Sequence, residues 1–260
     1  MNNYKFLKYF LTLSIPFLAY LSFNGYGIIT YAPIIEAFLF IPILELFMKP
    51  DSDNLSIAEE EMSKNDKFYD IILYLFFPII FFLIWEFLIS MRESLSASDK
   101  IGRILSMGLI CGGFGINIAH ELGHRNNKVE QFLSKLLLIP SLYMHFFIEH
   151  NRGHHKRVST KEDPSSARFG ENIFSFWFRA VTTGYLSAWK LEKVKLQRNG
   201  KSFFSLYNEM IIFQIVQFIF IYMIFYFFGL DITGYFLICS VIGFLTLETV
   251  NYIEHYGLER

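Results

Sequence analysis

Six of the chain's seven histidines fall in three clusters: His120 and His124 in HELGH, His150, His154 and His155 in EHNRGHH, and His255 in NYIEHYG. Neutral imidazole is the commonest protein ligand for iron, copper and zinc. Six clustered imidazoles in a chain with two cysteines predict a nitrogen-rich site for more than one metal ion. The seventh, His145, is expected to be a satisfied polar residue. On a helix, His120 and His124 share one face, about 6 Å apart along the axis. His150 and His154 repeat that spacing, and His155 adds a neighbour. Glu248, Asn251 and His255 stand three and four apart, on one face of an otherwise apolar helix. An acid inside such a helix is costly, and functional by default.

The clusters at 120–124 and 255 end long apolar segments. The chain is 53% hydrophobic and 19% aromatic, with 31 phenylalanines among 260 residues. Six runs are long enough to cross a bilayer as helices, at about 6–23, 28–48, 69–90, 101–119, 207–228 and 232–252. A shorter apolar helix near 129–150, containing Pro140, is expected to be re-entrant or interfacial. Residues 171–200 read as an amphipathic surface helix, and 50–67 as a polar linker. Glu36 and Glu86 are expected to serve helix packing. The glycines of the CGGFG run, with Gly108, are expected to permit close helix approach. The fold class is therefore all-α and membrane-embedded.

Charge distribution sets the orientation. Residues 121–203 carry 14 of the 23 Lys and Arg against seven acids, a local balance of +7 in a chain of net charge −1. Positive segments stay cytoplasmic, so the metal site faces the cytoplasm. The loop with Arg92, Lys100 and Arg103 disagrees with this topology. No nucleic-acid partner is expected. Cys111 and Cys239 lie in apolar segments and predict neither a disulfide nor a thiolate metal site.

HELGH also matches H-E-x-x-H, in which two histidines bind zinc and the Glu is a general base. An intramembrane zinc protease is thus one reading, but it leaves EHNRGHH without a role.

Taken together, HELGHR, IEHNRGHHKRVSTKEDPSSARFGE and NYIEHYGL closely resemble motifs of the integral-membrane alkane 1-monooxygenases, within the membrane desaturase–hydroxylase superfamily. The resemblance spans most of the chain. It implies two iron ions, with His120, His124, His150, His154, His155 and His255 as ligands. Glu149, Glu248 and Asp163, with Glu171 and Glu254, are implied as carboxylates supporting those ligands. It further implies hydroxylation of the terminal carbon of alkanes with dioxygen, and electrons from rubredoxin and its reductase. The +7 segment is a landing surface for that acidic donor or for anionic lipid. A bacterial inner-membrane location follows. The family carries a further histidine box beyond the NYIEHYG motif, so residues 1–260 are expected to be one membrane-embedded domain, truncated at its C-terminus. Other readings are a fatty acyl or other hydrocarbon hydroxylase, a desaturase, and a non-catalytic membrane remnant.

Overall fold

The computed structural model describes residues 10–48 and 67–260, and among them every regular element is helical. The polar linker, apart from Lys67, and the start of the first apolar run lie outside the described residues. The chain divides into two compact units, Met1–Ile110 and Cys111–Arg260.

In the first unit, α1 (Ser14–Asn24) and α2 (Gly27–Phe47) are followed by α3 (Lys67–Ser90). The helix α4 (Ala97–Gly123) begins here. Ser96 starts α4 because its hydroxyl accepts the Asp99 amide at 3.1 Å, a serine N-cap. Arg103 accounts for part of the charge anomaly. It is fully buried, donating to the Ser90 carbonyl at 2.8 Å, the Gly25 carbonyl at 2.9 Å and the Glu93 carboxylate at 3.3 Å. It is a structural bolt, not a free loop charge. Glu86 accepts from Asn24 at 3.4 Å, as expected of a packing residue. Glu36 differs: its Oε2 is buried without a hydrogen-bond partner among the described residues.

The second unit holds the rest of α4, then α5 (Lys128–Leu137), α6 (146–157), α7 (Ile173–Arg198) and α8 (Glu209–His255). The single helix expected near 129–150 is two, α5 and α6. Pro140 cannot continue a helix, and the chain turns there, with Leu142 at φ 53°. Asparagines cap α5, α7 and α8 through Asn127, Asn172 and Asn208. On α7 the buried residues are Phe176, Ala180, Gly184, Ala188, Glu192 and Leu196, one stripe at four-residue spacing. That is the amphipathic helix the sequence predicts.

The 47-residue α8 breaks at Gly229, where φ is 82°, a conformation glycine adopts without steric cost. The rings of Phe220 and Phe236 lie 5.6 Å apart. In a straight helix, 16 residues would separate them by roughly 24 Å. The chain therefore folds back at Gly229, and its two arms match the last two predicted spans. Gly112 and Gly243 make the close approach expected of the glycine run, since a Cβ on Gly112 would overlap the Gly243 carbonyl. Among the described residues, four helices are long and apolar enough to cross a membrane, α8 counting as one, and Phe10–Asn24 is a shorter apolar helix.

Candidate metal centre

At the end of α4, the Nε2 atoms of His120 and His124 stand 3.0 Å apart. The next pair comes from α6, where the helix widens. His150–His154 form a π turn, and the His155 amide donates to the His150 carbonyl five residues back. Such a turn brings residues five apart into register. His155 Nε2 thus lies 2.9 Å from His150 Nε2. Sequence spacing pairs His150 with His154, and their rings do stack at 5.1 Å, but the residue added to the turn brings the His150 Nε2 to that of His155. Between helices, His124 Nε2 is 3.1 Å from His150 Nε2 and 3.2 Å from His155 Nε2. One ring nitrogen from each of these four histidines lies within 4.8 Å of all the others.

These residues fit a metal ion. Metal–imidazole bonds of about 2.0–2.1 Å place adjacent ligand nitrogens roughly 3 Å apart, which is the spacing found. Burial, reinforced by the neighbouring histidines, pushes the pKa values of His150 and His155 below the ordinary imidazole value. Both rings stay neutral and keep a lone pair for coordination. Four imidazoles without a thiolate suit a first-row divalent ion such as iron, copper or zinc.

His154 and His255 form a second group, with ring centroids 5.0 Å apart. His154 Nδ1 donates to Asp163 Oδ2 at 2.9 Å. The buried Asp163 also accepts from Ser166 Oγ at 2.5 Å and the Ser165 amide at 3.2 Å. Burial opposes charge on both His154 and Asp163, yet their hydrogen bond outweighs it. The imidazole pKa is raised and the carboxyl pKa held low. A proton fixed on Nδ1 leaves Nε2 free to face an ion.

The remaining acids divide. Glu248, buried in α8, accepts from the Tyr143 hydroxyl at 2.8 Å and Asn251 Nδ2 at 3.2 Å. Glu149, beside His150, accepts from Arg157 at 2.9 Å and Ser187 at 3.2 Å. Burial and the nearby Asp163 push its carboxyl pKa up. Gly153 makes room for that ion pair, because a Cβ there would strike both Glu149 and Arg157. Glu171 is clamped by Arg179 through two 2.7 Å bonds, and Glu254 is exposed. Glu121, the would-be general base of H-E-x-x-H, is largely exposed and lies 3.6 Å from Arg125.

His145 is not the satisfied polar residue expected from sequence. It is buried edge-on to Tyr143 and Tyr185, and its Nε2 has no hydrogen-bond partner among the described residues. Burial lowers its pKa to about 3, keeping it neutral. Sequence reasoning also missed Tyr143, Arg152, Arg157 and Ser187. The arginines inside EHNRGHHKR were the available signal. On α7, Lys190, Lys193 and Arg198 are exposed, whereas Arg179 and Lys195 are held by carboxylates.

Apolar helices long enough to cross a membrane, together with a histidine cluster that could hold a metal ion, mark one class of membrane protein, and the comparisons agree. The family described as fatty acid desaturase matches residues 101–260. The chain belongs to that family, within its integral-membrane alkane 1-monooxygenase group. It is 36% identical over 223 residues to an alkane 1-monooxygenase of Acinetobacter baylyi, covering 85% of this chain and 54% of the relative. Against that of Pseudomonas putida it is 32% identical over 239 residues, covering 91% and 59%. An alkane 1-monooxygenase 2 of Alcanivorax borkumensis is 34% identical over 267 aligned positions, covering 100% and 70%. The chain thus spans little more than half the length of the first two relatives.

Proposed function

We propose that this protein hydroxylates the terminal carbon of medium- to long-chain alkanes, giving primary alcohols, with dioxygen and electrons from a rubredoxin-type donor and its reductase. The observation that carries this reading is the convergence of four imidazole nitrogens at ligand spacing, in a chain similar to proteins named alkane 1-monooxygenase. We assign His120, His124, His150 and His155 to one iron ion, and His154 and His255 to a second. Bound iron would supply the oxygen-activating chemistry that an unactivated C–H bond requires.

The chain's own residues prepare that site. Asp163 fixes the His154 tautomer, Glu149 anchors the histidine segment through Arg157, and Glu248 is held by Tyr143 and Asn251. An alkane has no polar group, so apolar helix surfaces must select it by shape. The basic segment 121–203 supports a cytoplasmic site in a bacterial inner membrane. Lys190, Lys193 and Arg198 are the α7 charges left exposed to meet an acidic donor.

Membranes carrying the protein, supplied with rubredoxin, its reductase, an n-alkane and isotopically labelled dioxygen, test the proposal. Labelled primary alcohol supports it. An alkene would favour a desaturase, a cleaved peptide a zinc protease, and absence of product a non-catalytic remnant.

A further inference from the structure

Arg152 sits in the middle of the π turn, between His150 and His154. Its Nη1 donates to Glu192 Oε2 and its Nη2 to Glu209 Oε2, each at 2.7 Å. Lys195 binds the same two carboxylates at 3.1 and 2.6 Å, and Lys135 binds Glu209 Oε1 at 2.5 Å. Glu192 is wholly buried and also accepts the Glu209 amide at 3.1 Å, at the first turn of α8. Three cations and two carboxylates thereby join α5, α6, α7 and α8. The clustered histidines do not require this arrangement.

A wholly buried carboxylate persists only with close partners. A guanidinium fork held by two carboxylates is fixed in plane and direction, which a lysine cannot reproduce. The Arg152 backbone lies inside the widened turn, so fixing its side chain restrains the register of that turn. Register decides which histidines meet. The π turn pairs His150 with His155. The His150–His154 rings already stack at 5.1 Å; relaxation to an α-helix would rotate His155 by roughly the 100° of one residue and carry its Nε2 away from that of His150.

We propose that Arg152 is a positioning residue, whose ion cluster with Glu192 and Glu209 holds the π register that brings His155 to the metal centre. This rests on the metal reading of the histidines, and the test separates the two.

Purified wild type, R152K, R152M and R152M/E192M proteins are titrated with Co(II) alone. Affinity, the visible absorption of the saturated site and the melting temperature are recorded. R152M should bind Co(II) about tenfold or more weakly and show shifted or weakened bands at saturation. R152K, reaching one carboxylate well, should fall between. The double variant removes Arg152 together with its buried partner Glu192, so no buried carboxylate is left without its guanidinium. It should regain much of the melting temperature while keeping the altered spectrum. Were R152M not to fold, the R152K and double-variant spectra decide. Variant spectra that superimpose on wild type would overturn the positioning role, as would a double variant that recovers spectrum and affinity together. Failure of the wild type to bind Co(II) would instead refute the metal reading itself.

Discussion

Replacing Asp163 with asparagine removes one charge, changes volume little and tests how the histidine geometry is set. Two donors, His154 Nδ1 and Ser166 Oγ, converge on Asp163 Oδ2, while the Ser165 amide points at Oδ1. An asparagine has one acceptor oxygen for these two positions. Facing Oδ1's donor with its NH2 group sets donor against donor at Ser165. Flipped, the NH2 group faces Nδ1, and His154 answers by moving its proton to Nε2, where it blocks coordination. Loss of a partner that orients a ligand costs about 10–100-fold in metal affinity, which is roughly 1.4–2.7 kcal/mol at 1.36 kcal/mol per decade. Equilibrium dialysis of wild-type and D163N protein against graded Fe(II) under anaerobic conditions measures it. The weaker of two binding steps should shift by that factor, because His154 belongs to the second group. Affinities within twofold of wild type at both steps would refute this account of Asp163.

Other substitutions probe separate features. H150A should strip metal, whereas H145A should leave metal content near wild type, because His145 is walled off by Tyr143 and Tyr185; elemental analysis of both proteins decides it. G112A should lower the melting temperature, by an overpacking cost of about 1–3 kcal/mol, since the new Cβ meets the Gly243 backbone. Arg179 holds the Glu171 pKa below its ordinary value of 4.5. The clamp therefore stabilises the fold above that value and is lost as pH falls through the depressed one; E171Q should flatten the acid limb of a thermal-stability profile. Neutralising Lys190, Lys193 and Arg198 together should raise the donor concentration needed for half-maximal turnover, an effect that shrinks as salt screens the attraction over about 8–10 Å.

Much of this architecture is legible in the sequence because it rests on short-range rules. Hydropathy places the long apolar helices, whereas the asparagine caps of α5, α7 and α8 come from the structure. The four-residue spacing of HELGH gives the close His120–His124 pair. The pairing within EHNRGHH is not legible, because it depends on one residue of extra helical register at His150–His154. That register is coupled to partners 40 and 57 residues away, Glu192 and Glu209. The arginine inside EHNRGHH and a glutamate on the buried stripe of α7 were the available hints. Arg103 misled the charge count for a similar reason: its partners, at Gly25 and Ser90, are distant in sequence. His145 shows the reverse error, since aromatic packing took the place of the hydrogen bond that its polarity suggested.

The most direct test of the central claim is metal analysis of protein purified from iron- and zinc-replete cells, combined with X-ray absorption at the metal edge. The account predicts iron in a nitrogen-dominated shell, sharply reduced in H124A, whose ring meets three of its neighbours in the four-histidine cluster. Zinc as the sole bound metal, or iron that is retained undiminished in H124A, would contradict it.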